Sequence, residues 1–122
     1  MGQPVVHFEV LGKDDGKLQD FYTRLFDWKI DATNSMGYGI VDTQADGKGI
    51  GGGVGCSPDG SSMVTFYVEV DDLSAYLKKA EGLGGKTIPP PMDIPGMVSL
   101  ALLADPEGHV VGIVSSTAPP AQ

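Results

Sequence analysis

Residues 64–72 read VTFYVEVDD, and 58 positions earlier residues 6–14 read VHFEVLGKD. At that offset Val6 aligns with Val64, His7 with Thr65, Phe8 with Phe66, Val10 with Val68 and Asp14 with Asp72. Both stretches alternate with period two. Val6, Phe8 and Val10 share one face and His7 and Glu9 the other. Val64, Phe66, Val68 and Val70 oppose Thr65, Tyr67 and Glu69 in the same way. Each stretch therefore reads as a half-buried strand with a mixed second face.

Working outward, each strand is followed by an aspartate pair and a helical pattern. After Asp14-Asp15 come Leu18, Phe21, Tyr22, Leu25 and Trp28; after Asp71-Asp72 come Leu73, Leu77, Ala80 and Leu83. Aspartate suits a helix start because its side chain accepts from the orphan amides and its charge complements the dipole. Gly84-Gly85 stops the second helix, where a left-handed cap forms readily. Strands in WKIDA and GKTIP follow, then the hairpins YGIVDTQADGKGIGGGV and MVSLALLADPEGHVVGIV. There the offset becomes 61, pairing Gly47 with Gly108, Ile50 with Val111 and Gly51 with Gly112. The chain thus reads β-α-β-β-β twice, with module 1 over residues 4–55, module 2 over 63–115 and a flexible tail at 116–122. A duplicated module with helices on one sheet face leaves the other face free to enclose something.

The bulk composition narrows the function classes. With 122 residues and 41% hydrophobic content, the chain is one domain with a real core. It carries neither an apolar stretch near 18 residues nor a secretory leader pattern. Cys56 is alone, which excludes an intrachain disulfide and a thiol cluster, so the expectation is a cytoplasmic protein without a membrane span. A net charge of −8, with eight scattered Lys and Arg, argues against nucleic acid and favours a cationic small molecule slightly.

The repeat, together with HFEV, FYTRLFDWK, FYVEVDDL and DPEGHVVGIV, resembles the vicinal oxygen chelate superfamily. That group spans glyoxalase I, extradiol dioxygenases, methylmalonyl-CoA epimerase and bleomycin-resistance proteins. The resemblance covers residues 4–115. It implies an α+β fold of two tandem β-α-β-β-β modules curling into an open eight-stranded barrel-like cup, and it implies a homodimer. Metalloenzyme members hold a divalent ion from four positions, which carry over to His7, Gly51, Thr65 and Gly112. Only His7 is a ligand type there. Such ions want three or four side-chain donors, so no metal or other cofactor is expected. The alternative is a divalent metal in a shifted site rebuilt from Glu9, Glu69 or His109.

Candidate ligand-binding residues on the cup face are therefore His7, Glu9, Thr65, Tyr67 and Glu69, with Glu9 and Glu69 as candidate catalytic bases. The expected partner is an aromatic or cationic small molecule. The rival reading is a lyase, isomerase or dioxygenase-type enzyme related to lactoylglutathione lyase, with a relocated or metal-free site. His109, at a turn, reads as surface. The bare positions Gly49, Gly51 and Gly53 either widen a cavity or let a neighbour approach closely. PPPMDIPGM reads as a proline-rich connection between the sixth and seventh strands, folding over the cup mouth or a subunit seam.

Overall fold

The computed structural model describes residues 2–33, 37–44, 47–57, 60–93 and 99–115. In chain order the elements are β1 (Val5–Gly12), α1 (Asp15–Phe26), β2 (Lys29–Asp31), β3 (Gly39–Asp42) and β4 (Gly52–Cys56). They continue with β5 (Met63–Val70), α2 (Leu73–Gly82), β6 (Lys86–Asp93), β7 (Ser99–Ala104) and β8 (Val110–Ser115). The expected β-α-β-β-β order occurs twice. By contacts the chain divides into two compact units, Val6–Thr65 and Phe66–Gln122 with Met1–Val5. Among the described residues no helix is long and apolar enough to cross a membrane.

In the first module the strands lie in the order β2-β3-β4-β1, and β1 runs parallel to β4 while the other pairs are antiparallel. The second module repeats this as β6-β7-β8-β5, with β5 parallel to β8. Both helices start as the aspartates require. Asp14 accepts from the Lys17 amide at 3.0 Å and Asp72 from the Ala75 amide at 3.1 Å, each cap contributing about 1 kcal/mol. α2 ends at Gly82, after which the Gly85 amide donates to the Ala80 carbonyl at 2.8 Å while Gly84 takes φ 100°. Gly47 and Gly108, paired by the repeat, both have positive φ.

One core forms per unit. In the first, Val10, Val41 and the fully buried Val54 meet Phe8, Leu18, Tyr22, Trp28 and Ile30. Trp28 stacks on Tyr22 with centroids 5.4 Å apart. Phe21 and Leu25, counted in the same helical pattern, remain 55% and 56% exposed, so the helix meets the core through Leu18 and Tyr22, with Trp28 joining them from just beyond its end. In the second, Val70, Leu77, Ala101 and Ile113 pack with Val68, Leu73, Tyr76 and Leu103.

The proline stretch differs from the sequence expectation. Pro89-Pro90-Pro91 belong to β6 rather than to a connection, and the strand continues to Asp93. β6 is the outermost strand of its module, bonded only to β7, and there a missing N–H is tolerated. The ladder pairs Ile88 with Leu102 but Met92 with Leu100. The prolines therefore sit in a bulge where β6 gains two residues on its partner. Residues 94–97 of that stretch, and the tail 116–122, lie outside the described residues.

Candidate functional site

β1 sends Phe8 and Val10 into the first core, so His7 and Glu9 project from the opposite face by strand parity. There they meet a residue that the sequence reading did not weigh. The Tyr38 hydroxyl donates to Glu9 Oε2 at 2.8 Å, and His7 Nε2 lies 3.1 Å from the same oxygen. Since the phenolic proton goes to Glu9, the oxygen accepts from His7, which fixes a donating Nε2–H. All three side chains are half-buried.

Burial holds the His7 imidazole below its ordinary value of 6.5, with the nearby Glu9 carboxylate opposing that shift. The sign of the pH effect follows. Above about 6.5 both folded and unfolded chains keep His7 neutral; below it the unfolded chain takes up the proton first. Urea unfolding should therefore show stability falling as the pH drops below about 6.5 and levelling once the folded imidazole protonates. His7→Gln should remove that slope.

The glycine strand explains how Tyr38 reaches this position. A Cβ at Gly53 would fall inside the Tyr38 phenol, and one at Gly55 would lie 2.8 Å from its ring. The bare face thus admits a close neighbour. On the other face of β4, a Cβ at Gly52 would enter the Phe8 ring. Gln19 fixes the backbone around Tyr38 by donating to the Gly37 carbonyl at 3.2 Å and the Val54 carbonyl at 2.9 Å.

In the second unit Tyr67 is buried, and its ring occupies the space a Cβ at Gly112 would need. The Glu69 amide donates to the Pro4 carbonyl at 2.9 Å, and its side chain is half-buried. Thr65, in the first unit, is buried. The ladder also corrects one equivalence. Tyr67 pairs with Gly112 while Glu9, its counterpart at the 58-residue offset, pairs with Gly53. Gly53 is therefore the ladder equivalent of Gly112, two residues beyond Gly51. Turn spacing missed this because β4 begins at Gly52, after the irregular backbone at Gly49 with φ 101°.

His109 is exposed at the β7–β8 turn, its Nδ1 3.0 Å from Asp105 Oδ2. The backbone amide of His109, and then that of Glu107, hold the Asp105 carboxyl below the usual range. The four positions implied by the superfamily offer one imidazole, one hydroxyl and two glycines, which does not match the donor set of a divalent transition ion. Among the described residues no three His, Cys, Asp or Glu side chains converge. A groove of about 410 Å³ lies elsewhere on the first unit, lined by Leu11, Lys13, Lys17, Leu18, Tyr22 and Met63 among others.

Sequence comparison matches residues 9–114 to the glyoxalase-like domain. The chain belongs to the glyoxalase-like domain family. This glyoxalase-like chain is 32% identical, over 122 aligned residues, to the anthracycline biosynthesis protein DnrV of Streptomyces peucetius. The alignment covers 87% of the chain but 44% of DnrV, so the chain spans less than half the length of that relative. Among solved structures, it is similar to a glyoxalase/bleomycin resistance protein/dioxygenase superfamily member from Vibrio splendidus 12B01. That match has TM-score 0.62 and 15% identity, covering 93% of this chain and 99% of the other. Methylmalonyl-CoA epimerase from Mycobacterium tuberculosis aligns with TM-score 0.59 and 11% identity, over 95% and 88% of the two chains. The expected superfamily fold is therefore the fold of this glyoxalase-like chain.

Proposed function

We propose that this protein binds a small aromatic molecule on the His7–Glu9 face and does so without the divalent metal of its metalloenzyme relatives. The carrying observation is that His7 and Glu9 are both bonded to one hydroxyl, that of Tyr38. An ion bound there would have to take His7 from that bond and would find no second imidazole or thiolate in the carried-over set. The likeness to a protein of anthracycline biosynthesis supports the aromatic side of the choice between aromatic and cationic ligands.

The test is a thermal-shift screen of untagged wild-type protein, paired with elemental analysis. A ligand that binds only the folded chain raises the midpoint in proportion to RT ln(1 + [L]/Kd). Aromatic compounds should raise it, whereas zinc, nickel and manganese should not. One tightly held equivalent of metal that disappears in His7→Ala would overturn the metal-independent reading. The enzymatic alternative needs Glu9 released from Tyr38 so that Oε2 can accept a substrate proton. Turnover of a methylglyoxal–glutathione adduct, lost in Glu9→Gln and Glu69→Gln, would favour it. A homodimer also stands as a proposal, supported by the exposure of Phe21, Leu25 and Phe26 on and beside one helix surface. Sedimentation equilibrium of wild type and Leu25→Glu tests it.

A further inference from the structure

We propose that His7, Glu9 and the bare backbone of Gly53 and Gly55 form a receptor for a phenolic hydroxyl, and that Tyr38 fills it in cis as a mimic that a phenolic ligand displaces. The inference rests on the small-molecule reading above and names its ligand class.

The two halves of a phenol are matched separately. Its ring needs a flat seat, and Gly53 and Gly55, with no side chains of their own, leave one that the Tyr38 ring fills and that Leu11 borders, its Cδ2 3.7 Å from where a Cβ at Gly55 would lie. Its hydroxyl has one proton to give and lone pairs to receive with. Glu9 Oε2 takes the proton at 2.8 Å and His7 Nε2 faces the oxygen at 3.1 Å. A carboxylate ligand would meet the Glu9 charge. An apolar ring of equal shape would replace neither of these two hydrogen bonds, and that loss gives a site discrimination for a hydroxyl.

Tyr38 is held in a manner that allows exchange. It stands between Gly37, at φ 66°, and Gly39. Gln19 anchors the Gly37 carbonyl and the facing Val54 carbonyl independently of the phenol. The seat therefore keeps its backbone when the side chain leaves. While Tyr38 occupies the seat, an external ligand's apparent affinity is reduced by the fraction of molecules with the seat open.

The experiment titrates 2-naphthol, 2-methylnaphthalene and 2-naphthylmethylamine into wild type and Tyr38→Ala, following naphthalene fluorescence. Tyr38→Ala should bind 2-naphthol about tenfold or more tighter than wild type, as expected when a built-in competitor is removed. The methyl compound should bind more weakly than the naphthol. Equal binding of the naphthol to both proteins, equal binding of the methyl compound, or preference for the amine would each overturn the assignment. If Tyr38→Ala does not fold, tyrosine-ring NMR of wild type decides, with Tyr38 assigned through Tyr38→Phe. Saturating 2-naphthol must shift the Tyr38 ring signals, and unmoved signals overturn the proposal. If 2-naphthol fails while another compound raises the wild-type midpoint, the phenol assignment falls and the broader binding function stands.

Discussion

Tyr67→Ala is expected to destabilise the protein by about 3–5 kcal/mol in urea unfolding, the range for emptying a buried aromatic site. Tyr67 is 6% exposed, and its ring lies where a Cβ on Gly112 would be. Gly112→Ala alone should cost about 1–3 kcal/mol, because the added methyl forces the ring from its position. The two changes should not add. In the Tyr67→Ala background the methyl enters vacated space, and Gly112→Ala should cost less than about 1 kcal/mol there, the coupling expected of residues in direct contact. Additive costs would show that the glycine serves something other than the ring. Gly112 thus has a packing reason in this chain. Its bare face is the seat of an aromatic side chain.

The fold was legible because its signals are local and repeated. Alternation in residues 6–10 and 64–70, two capping aspartates and the paired turn glycines Gly47 and Gly108 each fixed an element, and each recurred in the second module. What failed to appear was set by lateral register. The Gly51–Gly112 pairing followed turn spacing, but β4 starts late, so the ladder places Gly53 beside Glu9. The prolines of β6 read as a connection because proline lacks a donor; only the strand order reveals that β6 has one neighbour and tolerates them. Strand parity placed His7 and Glu9 on one face, and the superfamily resemblance singled out His7 as well. Tyr38 was not found, since it lies before β3, outside any periodic run, flanked by glycines that suggest a turn. Its signal was indirect. Unused space over Gly53 and Gly55 called for a side chain from elsewhere in the same module, and an aromatic residue just before the adjacent strand could supply it. The second module solves the same vacancy differently, with Tyr67 from the neighbouring strand itself. The repeat conserves the bare glycine position between modules but not the residue that covers it, so sliding the sequence on itself could not reveal Tyr38.

Gly53→Val should therefore have the larger functional consequence of the two glycine changes. A side chain there overlaps the Tyr38 hydroxyl, so the phenol must leave and its hydrogen bonds to His7 and Glu9 break. Overpacking and the loss of these two half-buried hydrogen bonds together should cost about 2–4 kcal/mol, measured by urea unfolding. Placed in a Tyr38→Ala background, the same substitution meets no ring. It should then be nearly neutral, or stabilising by the strand preference of valine. The double variant also separates a folding role from a binding one. If the seat over Gly53 is the receptor for a phenolic ring, valine fills it, and the 2-naphthol affinity gained in Tyr38→Ala must vanish while the protein stays folded. Retained affinity would mean that the naphthol binds elsewhere and that Tyr38 merely packs.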